Sequence, residues 1–256
     1  PSLMALAEDP ALAPIVRATA LTLAQPHLQV QALPALRKLL AHTDPLLRAS
    51  ATGSLEPFDA PTRVAAAAPL LADPVRGVRV EAARVLADVP DEQIPMEWRS
   101  ARAKALQEYV DSLTEDADWP SSNINMGNLR LRQGRVDEAI TAFQRAVLLD
   151  AQLPAAYLNL ADAYRQARRD ADGEKTLREA IARMPRNADL HHALGLLLVR
   201  KGDKPVALQS FAQASRLAPD SSRYAYVQAI ALNSLGKRSE ALALLRATQA
   251  RHPDDL

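Results

Sequence analysis

Small and large apolar positions recur along the C-terminal half of the chain at a fixed interval of 34 residues. Stepping from Gly127 reaches Ala161, Gly195 and Ala229, all small, and stepping from Ala139 reaches Gly173, Ala207 and Ala241. Phe143, Leu177, Phe211 and Leu245 make a large apolar column, and Ala146, Ala180 and Ala214 a small one that ends in Thr248. No insertion or deletion interrupts the register. Phe143 and Ala146 are three apart and so share a helix face. Met126, Leu160 and Leu194 mark the inner face of a preceding helix. The pattern predicts two helices of about 13 residues per unit, joined by a tight turn. Gly134, Gly202 and Gly236 fall where the first helix ends and a left-handed residue is wanted, with Arg168 in the fourth slot. Pro185, Pro219 and Pro253 stop the second helix, because proline cannot continue it.

A different period runs through the N-terminal part. Val16-Arg17, Leu47-Arg48 and Val78-Arg79 are spaced by 31 residues, with Ala20, Ala51 and Ala82 three positions after each Arg. An Asp-Pro step precedes each: Asp9-Pro10, Asp44-Pro45 and Asp73-Pro74. The Asp is expected to cap a helix and the Pro to occupy its first turn. The recurring Arg is expected to bond the preceding unit's carboxylate or carbonyls. Helix pairs are predicted near 2–8/14–25, 29–41/46–56 and 61–72/75–88, with Pro34 and Pro69 kinking or shortening the helices that contain them. Pro90 to Pro95 reads as a junction, with Trp98 or alternatively Trp119 as its packing anchor. The segment 99–119 reads as a half-repeat, since Ala105 and Tyr109 are in phase with Ala139 and Phe143.

The C-terminal columns resemble the tetratricopeptide (TPR) pattern. The second unit carries it in Tyr157, Leu160, Ala161, Tyr164, Ala180 and Pro185, and the third in Leu194, Gly195, Ala207, Phe211, Ala214 and Pro219. Gly173 stands where Ala is usual, and His191 takes an aromatic slot. The N-terminal pattern resembles short bacterial HEAT-like repeats. Together these resemblances imply an all-α fold, a right-handed α-solenoid superhelix of helix pairs. HEAT-like repeats would occupy 1–97 and TPR units 98–256, with the half-repeat 99–119 followed by four 34-residue repeats over 120–253.

Composition sharpens the picture. Aromatics are 4% of the chain and Gly numbers 8, which suits closely packed Ala-rich helices better than sheets. There is no cysteine, which removes disulfides, thiol nucleophiles and Cys-x-x-Cys-His haem attachment from this chain. Lys and Arg total 31 against 30 Asp and Glu, so no net charge argues for nucleic acid as a partner. No apolar run approaches the ~18 residues of a membrane span. The start at Pro1, without an initiator Met, reads as a piece of a longer protein.

Candidate chemistry is sparse. The histidines, at 27, 42, 191, 192 and 252, offer no helical i, i+4 metal pair, and no metal or cofactor is expected. No phosphate loop, serine elbow or paired acid site is present, so the chain is read as non-catalytic. Basic residues cluster before the turns: Arg165, Arg168 and Arg169; Arg200, Lys201 and Lys204; Lys237 and Arg238. Stacking lines them along one edge, and with Asp170, Asp172, Asp203 and Glu240 nearby they predict a solvated, locally paired edge in preference to a docking site for an acidic partner or lipid phosphates.

The TPR resemblance implies that the first helix of each repeat lines a concave groove. Its candidate residues are Ile124, Asn128, Leu131, Leu158, Asn159, Asp162, Arg165, His192, Leu196, Val199, Tyr226, Ile230 and Asn233. Ile124, Leu158, Leu196, Tyr226 and Ile230 form an apolar stripe flanked by amides, suited to the side chains and backbone of a peptide or partner protein. Asn128 and Asn159 match the two amides of the TPR subclass that grips terminal carboxylates, but its cationic positions fall on Ile124, Asp189 and Ala193. Without positive charge that grip fails. The order of repeats also resembles the C-terminal region of bacterial multihaem c-type cytochromes. That resemblance implies a docking or assembly region of a larger, periplasmic enzyme; a free-standing scaffold would be cytoplasmic. The pattern leaves the oligomeric state open.

Overall fold

A computed structural model describes residues 2–251; Pro253 and His252 lie outside the described residues. Fifteen α-helices and no strand occur among the described residues. The chain divides into two compact units, one of residues 1–116 with 132–134 and one of residues 117–131 with 135–256.

The first unit contains α1 (Leu3–Glu8), α2 (Pro14–Ala24), α3 (Leu33–Leu40), α4 (Pro45–Gly53), α5 (Ala60–Ala67), α6 (Arg76–Val85) and α7 (Met96–Glu115). The two prolines act as expected. Residues 30–32 are 3₁₀ and α3 starts only at Leu33, with Pro34 in its first turn, while α5 gives way to a 3₁₀ segment over 68–72 that contains Pro69. Of the three Asp-Pro steps, only Asp44-Pro45 starts a helix directly: the Asp44 carboxylate accepts from Leu46 N–H at 2.8 Å. Asp9 ends α1 instead, and α2 begins at Pro14. Asp73 precedes α6 by three residues and accepts from Val75 N–H at 2.8 Å.

The recurring arginines do bond carbonyls and carboxylates, but the direction differs from the expectation. Arg17 donates to the Ala7 carbonyl of the preceding helix at 2.9 Å. Arg48 donates to the carbonyls of His42 and Thr43 behind it, and through Nε and Nη2 to Asp73 of the following unit at 2.8 and 2.9 Å. Arg79 repeats this, taking the Asp73 and Pro74 carbonyls behind it and Glu108 on α7 ahead. Each Arg is the fourth residue of its helix, beside the helix start. At Arg48 and Arg79 the planar fork therefore spans the entering loop and the next unit together. The core under this ladder is built from Leu21, Leu36, Leu55, Leu71 and Leu86. Trp98 packs on it, as do Ala101 and Leu106, so α7 belongs to this unit, whereas the sequence pattern placed it with the C-terminal repeats.

The second unit realises the 34-residue interval in its helix boundaries. The first helices are α8 (Pro120–Arg132), α10 (Pro154–Gln166), α12 (Ala188–Arg200) and α14 (Ser222–Ser234); the second helices are α9 (Val136–Leu149), α11 (Asp170–Arg183), α13 (Lys204–Leu217) and α15 (Arg238–Arg251). Each start and each end lies 34 residues from its counterpart. Gly134, Gly202 and Gly236 have φ of +72°, +86° and +78°, and Arg168 in the fourth slot has φ of +58°. The repeat thus imposes a left-handed backbone even on a residue that resists it.

Column sizes are complementary across each pair. Gly127 lies under the ring of Phe143 and Gly195 under that of Phe211, whereas Ala161 faces Leu177 and Ala229 packs with Leu245. A smaller residue on the first helix admits a larger one on the second, which keeps the packing dense. At Gly173, where Ala is usual, a Cβ would make a tight contact 3.2 Å from Leu197 Cδ1.

Space around Gly202 is open, so strain comes from φ alone. Gly202→Ala is expected to cost about 1 kcal/mol, measured by urea denaturation. A neutral effect would show that the turn relaxes to negative φ.

Candidate functional site

Exposure of the large apolar residues along the predicted groove rises toward the last repeats. Ile124 and Leu131 are half-buried and pack into the core around Ile140, Phe143 and Leu160. Leu158, Asn159 and Asp162 are half-buried, while Asn128, Arg165 and Asn233 are exposed. Leu196 is 47% exposed, Val199 44%, Tyr226 58% and Ile230 52%, so the open apolar surface belongs to α12 and α14.

His192 departs from the reading as a groove residue: it is only 5% exposed. Its ring lies 5.7 Å from that of Phe211 and 5.2 Å from that of Tyr224, so it fills the interface between consecutive repeats. Its Nδ1 has no hydrogen-bond partner among the described residues. Burial, helped by the charge of Arg223 and opposed by Asp189, holds its pKa below the usual histidine value. The neutral imidazole is thus used as an aromatic packing unit. Tyr224 donates to Asp189 across the same interface, and burial with that bond pushes its pKa up to about 12. The aromatic role given to His191 passes to its neighbour, because α12 turns the 192 position inward.

Two clefts gather the remaining candidates. One, of about 220 Å³, lies between α10, α11 and α12 and brings together Leu158, Asp162, Arg165 and Leu196 over a floor of Ala161 and Leu177. Asp162 accepts from Arg165 Nε at 2.7 Å and from Gln166 at 3.0 Å. Burial raises its pKa, but these hydrogen bonds outweigh that and hold the carboxyl below its usual value. The second, of about 300 Å³, lies between α14 and α15 and brings together Tyr226, Ile230 and Asn233. Asn128, Asn159 and Val199 line neither cleft.

The sequence reading missed the second-helix contributors: Arg238, Leu242 and Leu245 complete the α14–α15 cleft. Their signal lay in the repeat columns, since Leu242 follows Leu208 and Arg238 follows Lys204 by one period. It missed Arg200 and Leu197 at the first cleft as well.

The basic edge is largely neutralised. Arg165 pairs with Asp162, Arg169 with Asp172, Arg200 with Asp170 at 2.7 Å, Lys201 with Glu174, and Lys237 with Glu240. No cluster of three or more His, Asp or Glu that could hold a metal occurs among the described residues. No helix among them is long and apolar enough to cross a membrane.

Comparison with known proteins agrees with the repeat geometry. Residues 127–167 match the family described as TPR repeat, and residues 192–255 that described as tetratricopeptide repeat. FlbA of Caulobacter vibrioides is 29% identical over 156 residues, 60% of this chain and 26% of that protein. The chain thus spans about a quarter of the length of this curated relative. Among solved structures, one of MamA is 22% identical, covers 58% of this chain and 87% of its own, and superposes with a TM-score of 0.50. MamA from Desulfovibrio magneticus RS-1, from residue 41 onward, is 14% identical and covers 71% of this chain and 99% of its own, also with a TM-score of 0.50. At these identities the structural likeness is one of fold.

Proposed function

We propose that this chain is a non-catalytic interaction module that binds a peptide or partner protein on the first helices of its TPR units. The observation that carries the reading is the row of exposed apolar side chains Leu196, Val199, Tyr226 and Ile230 on consecutive first helices. Stacked repeats bury what their neighbours need, so large apolar groups left open on one face mark a surface for something else. The sites that catalysis requires are not gathered around this row: the ionisable groups near it are tied into local ion pairs. The HEAT-like reading of residues 1–97 is part of the same proposal. It is supported by the Arg48–Asp73 and Arg79–Glu108 ladder, which clamps each helix pair to the next.

A photo-cross-linking residue placed at 196 or 230 in the source cells tests the surface, with position 148 as control. Leu148 is equally apolar and 74% exposed but lies on a second helix. The same partner band is expected from 196 and 230 and not from 148. Leu196→Asp is expected to weaken that partner's binding at least ~10-fold, about 1.4 kcal/mol. Cross-links from 148 alone would overturn the reading.

A further inference from the structure

We propose that His192 is a proton-operated latch between α12 and α14: the neutral ring holds the two helices together, and its protonation releases α14 with the Tyr226 and Ile230 part of the open row. The control of partner binding, but not the latch itself, rests on the interaction-module reading.

The position is built for an uncharged side chain. Its counterparts at one-period steps are Ile124, Leu158 and Tyr226, none of which titrates near neutral pH. His192 is buried, whereas His27 is exposed and His42 and His191 are half-buried. α13 presents the Phe211 ring to it, and α14 the Tyr224 ring. The charged and titratable groups that face it are Asp189 on its own helix and Arg223 and Tyr224 on α14. The neighbouring His191 points elsewhere, with Nε2 2.9 Å from the Pro185 carbonyl.

A neutral imidazole has one nitrogen without a proton, and the buried, unpartnered Nδ1 can be that nitrogen. The imidazolium carries an N–H on both. Its Nδ1–H then has no acceptor, and its charge lies beside that of Arg223. Asp189 opposes this, but its carboxylate already accepts from the Tyr224 hydroxyl. Turning Asp189 to the imidazolium would break that bond and with it a tie to α14. Water reaches Nδ1–H only when the interface opens. α13 is not the side that yields, because Phe211 is seated on Gly195 of α12. α14 is held to α12 by the Tyr224–Asp189 bond and by the ring contact itself. Burial, then Arg223, depress the folded pKa, while an open state returns the ring to its ordinary value of 6.5. The closed interface is therefore fully favoured above that value, and opening grows as pH falls from it toward the folded pKa.

Amide hydrogen exchange of the full chain at about pH 7.5 and 5.5, corrected for the intrinsic effect of pH, reads the latch as the protection of α14 relative to α10. That ratio is expected to fall at least ~3-fold in acid, with about tenfold as the ceiling that one proton sets over this range. His192→Leu, which installs the residue of the preceding repeat, is expected to abolish the fall. Arg223→Glu, an exposed change that replaces the like charge by an opposite one, is expected to shrink it at least ~2-fold, and it carries the test if His192→Leu does not fold. No fall in the unmodified chain, a fall that persists in His192→Leu, or one unchanged in Arg223→Glu overturns the latch. An imidazole resonance of His192 that titrates at or above 6.5 overturns it as well. In an extract of the source cells, cross-linking from 230 is expected to weaken at the lower pH, and not when His192→Leu is added. A 230 cross-link indifferent to pH beside a pH-dependent α14 overturns the control of binding. No cross-link from 196 or 230 at either pH removes the interaction-module reading, and the exchange result still decides the latch.

Discussion

Gly195→Leu is expected to destabilise the second unit by about 3 kcal/mol or more, at the upper end of what overpacking costs. Even the Cβ of such a side chain would lie 2.5–2.9 Å from three carbons of the Phe211 ring. Phe211 is 2% exposed and shares its cluster with Leu177, Leu194 and Leu197, so the ring has no free space to enter. Relief requires α12 and α13 to separate, which opens the interfaces with α11 and α14 together. Gly195→Ala should retain part of the penalty. A second change, Phe211→Leu, should recover much of it, because Ala161 facing Leu177 is that same pair in the repeat before. Thermal or urea melts of the single and double variants measure the coupling. A Gly195→Leu protein that melts like the parent would show that the small column marks no helix contact.

Asp73→Ala is expected to cost about 3 kcal/mol in the first unit, the scale for removing one partner of a buried ion pair. The Asp73 side chain is 6% exposed and that of Arg48 13%, so the abandoned guanidinium finds little water. The same carboxylate also caps Val75 N–H, and that bond is lost with it. Asp73→Asn keeps the cap and loses the charge, so its smaller cost isolates the ion pair. The effect is pH-dependent. Burial raises the Asp73 pKa, but the hydrogen bonds from Arg48 and Val75, with the charges of Arg48 and Arg79, outweigh it and hold the pKa below its usual value. A depressed folded pKa gives stabilisation that is complete above the unfolded value of about 3.9. That stabilisation fades as pH falls toward the folded pKa. Urea midpoints of parent and Asp73→Ala should therefore differ widely at neutral pH and converge in acid. A gap that stays constant down the acid range would remove the ion pair as its source.

The edge of basic residues illustrates how context changes a sequence reading. Arg165, Arg169, Arg200 and Lys201 look like a line of positive charge when only their repeat phase is considered. Acids at short helical spacing or one repeat away take each of them up.

Helix type and phase, the turn glycines and the Gly–Phe and Ala–Leu columns were all legible in the sequence. They depend on spacing along one chain, and three identical steps of 34 residues repeat each local environment. The positive φ at Arg168 followed from phase alone, since its three counterparts are glycines. The direction of the Arg48 fork was not legible, because Asp73 lies 25 residues ahead and only the stacking of α4 against α6 brings it near. Nor was the inward turn of His192: the Leu158 and Tyr226 of its column are half-buried and exposed, while the histidine is closed in by Phe211 and Tyr224. Column position fixes which side of a helix a residue occupies. What covers that side is set by the neighbouring helices, and burial is a property of the pair of surfaces rather than of either sequence segment.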